Sequence, residues 1–141
     1  MEVKQTNDLD SQIYKDARMI RRVVFIEEQS VPEELEFDGS DGSATHFVAY
    51  ENGQPAATAR ATVEGDSVHI QRVSTMKNFR GQGIAKAVLQ TILADPRFRD
   101  VGKFHLGAQE TAIGFYKKLG FRVTSDPFME AGIRHREMKF G

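Results

Sequence analysis

Arg80-Gly81-Gln82-Gly83-Ile84-Ala85 lies between a strand pattern that ends near Thr75 and a helical pattern that starts near Gln82. Glycines at such a junction leave backbone N–H groups uncovered and let a ligand approach closely, and a helix N-terminus adds a positive partial charge. The stretch reads either as a pyrophosphate-binding loop or as a tight strand-to-helix turn. A dinucleotide fingerprint needs a further glycine where Lys86 stands, and a nucleotide P-loop needs a Gly-Lys-Ser/Thr ending that is absent.

Downstream of the loop, Ile84, Ala85, Val88, Leu89, Ile92 and Leu93 share one helical face until Asp95-Pro96 ends it. Upstream, strands are expected at His46–Glu51, Ala56–Val63 and Ser67–Thr75, joined by turns at Asn52-Gly53 and Gly65-Asp66. Successive hairpins of that kind make an antiparallel meander. A first helix is expected from about Asp10 to Glu28, with Ile13, Ala17, Ile20, Val24 and Phe25 on one face and Asp10 or Ser11 able to cap it. Between Pro32 and Thr45 five acidic residues and two glycines read as a long irregular connection. Toward the C-terminus a strand at Lys103–Leu106 precedes a helix at about Glu110–Leu119, closed by Gly120, and strands at Phe121–Val123 and Ile133–Phe140. The order strand, helix, three strands, helix, strand, helix, two strands implies an α/β (α+β) protein with helices on the faces of a mixed sheet.

At 141 residues, without repeats or a proline-rich linker, the chain fits a single domain spanning 1–141. Nineteen basic against 20 acidic residues give a formal net charge of -1, so no bulk field exists to hold nucleic acid or an anionic membrane. There is no cysteine, which excludes disulfides, thiolate metal sites and a cysteine nucleophile. The polar start and the lack of any apolar run near ~20 residues lead to the expectation of a cytoplasmic protein. His46, His69 and His105 fall on different expected strands without ligand spacing and His135 is far from them in sequence, so no metal is expected. Arg60 and Arg72 sit in strand patterns where arginine is rarely buried alone; with Arg22 they should pair with Glu28, Glu36 or Asp38, or bind an anion.

Arg80, Gly83 and Ala85 satisfy the pattern Arg/Gln-x-x-Gly-x-Gly/Ala, and Gln109–Phe121 (QETAIGFYKKLGF) carries Phe-Tyr-x-x-x-Gly-Phe on a helix. In both motifs, and in their order, the chain resembles the GNAT superfamily of acetyl-CoA-dependent N-acetyltransferases. Arg22-Val-Val-Phe25, Glu28-Gln29, Glu36-Phe-Asp38, His46 and His135-Arg-Glu-Met138 resemble the ElaA-like branch, so the likeness covers nearly the whole chain. Gln109 stands where many members have Asn, and Ala85 replaces the more frequent glycine. The fold so implied is a mixed, mostly antiparallel twisted sheet with helices on both faces.

The resemblance implies that Val73, Ser74 and Thr75 hold the pantetheine arm of acetyl-CoA and that Arg80, Gly81, Gln82, Gly83, Ile84, Ala85 and Lys86 hold its pyrophosphate. The coenzyme is a group carrier that brings its own reactive thioester. An attacking amine then needs proximity, loss of its proton, donors for the oxyanion and a proton for the departing thiolate. The backbone N–H of Val73 is the implied oxyanion donor, Tyr116 the implied acid, and Gln109 a further coenzyme contact. Packing alone offers Tyr116 a core role beside Phe115, Leu119 and Ala112. Glu28 is the candidate base, with Glu36, Asp38 and His46 as other candidates at the acceptor, where Arg22 and Arg72 could meet an anionic group. A solvated acidic loop and a structural histidine are the plain alternatives for those residues. The expected function is therefore acetyl transfer to a small-molecule or peptide primary amine by direct attack in a ternary complex, with a homodimer as a possible assembly. The alternatives are a catalytically silent acyl-CoA-binding regulatory module and, less compatible with neutral charge, a nucleic-acid-binding domain.

Overall fold

The computed structural model describes residues 1–141. Eight strands are present: β1 (Glu2–Thr6), β2 (Thr45–Glu51), β3 (Gln54–Glu64), β4 (Ser67–Thr75), β5 (Phe104–Gln109), β6 (Arg122–Val123), β7 (Phe128–Glu130) and β8 (Ile133–Phe140). They form one sheet in the order β1-β2-β3-β4-β5-β8-β6, with β7 paired to β8. Every pairing is antiparallel except β4 with β5.

Side-chain alternation along the meander sends opposite sets of residues to the two faces. Phe47 and Ala49 of β2 join Ala57, Ala59 and Ala61 of β3 in the larger core, which also holds Ile84, Val88, Leu89 and Ile92 of helix α3 (Ile84–Ala94). Val48, between them, packs on the other face against Ala17 and Ile20 of α1 (Gln12–Arg21). Small alanines on the first face let α3 come close to the sheet. Helices α4 (Pro96–Arg99) and α5 (Ile113–Lys118) contribute Phe98 and Tyr116 to the same core. The expected fold class is therefore present, with helices on both faces.

Local details differ from the expectations. The first helix is two segments: α1, capped by Ser11 whose Oγ accepts from the Tyr14 N–H at 3.2 Å, and a π-helical stretch at Arg22–Glu28. The wider turn rotates the residues that follow away from a simple helical projection. The acidic connection is ordered as α2 (Glu33–Glu36) and a 3₁₀ turn at Asp41–Ser43, because Arg21, Arg60 and Arg72 hold its carboxylates. Strand β1 arises from a polar run that pairs along the sheet edge, and β7 from an exposed Phe-Met-Glu run folded back on β8.

Candidate active site

Strands β4 and β5 are paired only at Val68↔Phe104 and His69↔His105, after which they part. A bulge accompanies the parting. Thr58 faces Ser74 and Arg60 faces Gln71, so Ala59 alone stands opposite Arg72 and Val73, and Arg72 takes a left-handed φ of 60°. A non-glycine residue held there, in an inserted position, bends the strand. The diverging strands open a cleft of about 1320 Å³ lined by Ile70 to Thr75 of β4 and by Leu106, Gly107 and Gln109 of β5. The β5-facing edge of β4 is left without a strand partner, as an extended ligand arm requires.

At one end of the cleft the chain runs from Arg80 into α3. Gly81 and Gly83 have φ of 78° and 76°, and a Cβ at either would meet nothing within 4 Å. Gly83 occupies the position before α3, no side chain caps that helix, and its first turn holds no acidic residue. Uncapped N–H groups with open space before them are a ready anion site. Gly81, Gln82, Gly83 and Lys86 are exposed, Arg80 and Ala85 line the cleft, and Ile84 is a core residue that anchors the loop. Two side-chain links cross from the end of the π-helical stretch. Arg80 donates to both carboxylate oxygens of Glu28 at 3.0 and 2.8 Å and to the Thr75 carbonyl at 3.0 Å. Gln109 and Gln29 exchange amide hydrogen bonds at 3.0 and 3.4 Å.

Tyr116 sits between Phe115 and Phe121, edge-on to both rings, and lines the cleft. It is 6% exposed, and no group hydrogen-bonds its hydroxyl. Burial alone pushes its pKa far above the ordinary tyrosine value. The hydroxyl therefore keeps its proton at neutral pH.

Opposite α3, an ionic cluster fixes α1, α2 and the sheet together. Arg21, 1% exposed, donates to Glu36 at 2.8 Å and to both oxygens of Asp41 at 2.8 and 2.9 Å. Arg60 donates to Asp41 at 2.6 Å, the Tyr14 hydroxyl donates to the same carboxylate at 2.5 Å, and Arg72 lies 3.0 Å from Glu36. Burial raises the Asp41 pKa, but the Tyr14 hydroxyl and the two guanidiniums outweigh it and bring the carboxyl down to about 2. Burial lowers the pKa of Arg60 as well. Arg60 and Arg72 are thus paired, as their place in apolar strands required; Arg60 uses Asp41 rather than the partners expected for it.

Several expected site residues are placed differently. His46 is buried away from the cleft, its Nε2 3.0 Å from the Asp41 carbonyl and its ring edge-on to Tyr14, so its role is structural. Arg22 is on the surface, 2.6 Å from Glu33 and beside the Phe37 ring, not at the cleft. Glu28 and Glu36 do line the cleft, but their carboxylates are engaged by Arg80 and by Arg21 and Arg72. Asp38 is about half exposed there, its carboxyl held below the usual range chiefly by the Ser40 hydroxyl. Arg21 and Asp41, the centre of the cluster, were missed. The spacing Tyr14, Ala17, Arg21 on the apolar side of α1 was the available signal. The separation of the histidines also fails in part, since the parallel register sets His69 beside His105, with Glu64 next to them.

Residues 11–141 match the acetyltransferase (GNAT) domain family, and the chain belongs to that family. It is an N-acetyltransferase by class. It is 33% identical over 125 residues to YjcF of Bacillus subtilis, an uncharacterized N-acetyltransferase, covering 88% of this chain and 89% of that one. ElaA of Escherichia coli is 29% identical over 130 residues, covering 89% and 84%, and its crystal structure superposes with a TM-score of 0.83 over 99% of each chain. An acyl-CoA N-acyltransferase of Pseudomonas aeruginosa gives a TM-score of 0.86 at 25% identity, again over 99% of each chain. The likeness to the ElaA branch is borne out.

Proposed function

We propose that the cleft transfers the acetyl group of acetyl-CoA directly to a primary amine, with Tyr116 as the general acid. The observation that carries this reading is Tyr116, a buried side chain on the cleft wall whose hydroxyl has no partner in the protein. Tyrosine buried for packing normally finds a hydrogen-bond partner, so an unpartnered hydroxyl beside a cleft is set aside for a ligand.

The residues present fit the coenzyme. Open space over the two left-handed glycines and the uncapped start of α3 suit a pyrophosphate, and the unpaired edge from Val73 to Thr75 suits an amide-bearing arm. When bound, acetyl-CoA supplies a thioester carbonyl for the amine to attack. The chain's own contributions are positional and protonic. Val73 lies at the bulge on the cleft-lining stretch of β4, which supports its N–H as the donor that would polarise the carbonyl oxygen. As the C–S bond breaks, the Tyr116 hydroxyl gives its proton to the departing sulfur, and the proton shed by the newly acylated nitrogen returns to the tyrosine.

The acceptor side carries Asp38, Glu130 and Glu137 on the cleft wall, all at least 40% exposed at their side chains. These carboxylates draw in a cationic amine. Glu28, bound to Arg80, acts better as part of that negative lining than as a free base, and the ammonium loses its proton to water in the cleft. Thiol release from acetyl-CoA across a panel of small amines and peptides tests the reading. Turnover with one amine class supports it. Tight coenzyme binding with no turnover on any amine favours a silent acyl-CoA-binding module instead, and absence of coenzyme binding contradicts the reading at the glycine loop.

A further inference from the structure

Glu64, His69 and His105 meet at the paired end of β4 and β5, four residues before the Val73 bulge and so roughly 13 Å along the strand from it at ~3.3 Å per residue. None of them has a part in acetyl transfer as described above. We propose that these three side chains bind one divalent transition-metal cation of the zinc, nickel or copper kind, through two imidazole nitrogens and one carboxylate oxygen.

The geometry is nearly that of a bound site. His69 Nδ1 lies 2.7 Å from one oxygen of Glu64 and His105 Nε2 lies 3.9 Å from the other. The donor atoms of all three residues fall within 4.8 Å of one another. Donors held about 2.0–2.2 Å from a common zinc lie no more than about 4.4 Å apart, so small side-chain rotations close the set.

The rings are also held in place for the purpose. Parallel pairing makes His69 and His105 direct neighbours on one face, with ring centroids 4.4 Å apart and planes inclined by 24°. The Ser67 hydroxyl is 2.6 Å from His105 Nδ1, which fixes that ring and leaves Nε2 turned to Glu64. An outer hydrogen bond on one imidazole nitrogen, with the other left for the ion, is the usual arrangement of a metal-binding histidine.

Charge agrees with the choice of ion. Ligation takes a neutral imidazole, and burial, then the neighbouring His69, lowers the His105 pKa in that direction. Across the sheet, Glu137 and Lys139, of opposite charge and 3.9 Å from each other, face His105. Two imidazoles and one carboxylate suit zinc, nickel or copper; magnesium and calcium prefer oxygen sets. Three protein donors leave at least one position of a four-coordinate ion open, and both histidines line the cleft. That position is available to water or to a carboxylate on a molecule in the cleft.

Isothermal titration of the metal-free full chain with zinc chloride near neutral pH tests the site. One equivalent is expected to bind, tenfold or more weakly in His69→Ala and in His105→Ala, and unchanged in His135→Ala, whose histidine lies outside the triad. Ser67→Ala keeps every ligand while freeing the His105 ring and losing a long bond to the Lys103 carbonyl, so it should weaken binding severalfold with the fold intact by circular dichroism. Cobalt should give a visible ligand-field spectrum in the parent that His105→Ala abolishes. Substoichiometric zinc binding, or one equivalent that survives the His69→Ala/His105→Ala double variant, would overturn the proposal.

Discussion

Two tyrosines are buried to the same extent, 6% exposed, and end in opposite circumstances. Tyr14 of α1 gives its hydroxyl to Asp41 at 2.5 Å, inside a cluster where Arg21 and Arg60 also meet that carboxylate. Tyr116 of α5 is surrounded by phenylalanines and gives its hydroxyl to nothing. Burial is the same, so burial does not separate structure from chemistry; the partner does. A satisfied hydroxyl contributes to folding, while an unsatisfied one facing a cleft stands ready for a ligand.

The sharpest way to break the comparison is at the centre of the satisfied side. Arg21→Ala leaves Asp41 and Glu36 buried without their shared guanidinium, and thermal or urea unfolding should register a loss of about 3–5 kcal/mol. A loss under about 1 kcal/mol would mean that the cluster tolerates vacancies and does not hold α1 to the sheet. Tyr14→Phe removes one hydrogen bond to a charged group and should cost about 1.5–3 kcal/mol in the same unfolding assay, with kcat little changed.

Acid provides a third test without mutation. The Asp41 carboxyl titrates at about 2 in the folded chain and near the ordinary 3.8 in the unfolded one. Its folded pKa is depressed, so its stabilisation is complete above about pH 4 and disappears as pH falls toward 2. Urea titrations over that window should show roughly 2 kcal/mol less of this acid-sensitive loss in Asp41→Asn than in the parent. Equal slopes would place the acid sensitivity elsewhere. The smallest effect belongs to the Arg80–Glu28 pair, whose side chains are 44% and 31% exposed. Glu28→Gln should shift stability by less than about 1 kcal/mol. By releasing Arg80 for an anion, it should leave coenzyme affinity equal or better, as measured by titration calorimetry; a tenfold weaker affinity would show that Glu28 is needed to aim Arg80.

Legibility from sequence followed the same division. The glycine loop, α3 and the Phe115–Tyr116 helix were readable because each is local: a turn that needs left-handed residues, then apolar residues at helical spacing. The bulge at Arg72 was not, since a two-for-one register depends on which residues of β3 lie opposite. Nor was the pairing of His69 with His105, which only the parallel register of β4 and β5 creates. The acidic run from Glu33 to Asp41 looked like a solvated loop because its cations come from α1, β3 and β4, distant in sequence. Choosing Arg22 over Arg21 was an error of helical phase: one residue separates a surface pair with Glu33 from the buried centre of the cluster.

The most direct measurement of the central claim is steady-state thiol release by Tyr116→Phe, with coenzyme affinity and unfolding free energy determined on the same sample. The account predicts a fall in kcat of about 10²–10⁴-fold. Coenzyme affinity should be unchanged and stability within about 0.5 kcal/mol of the parent, because the lost hydroxyl had no partner. Unchanged kcat in a folded, coenzyme-binding Tyr116→Phe chain would contradict it and return Tyr116 to the core.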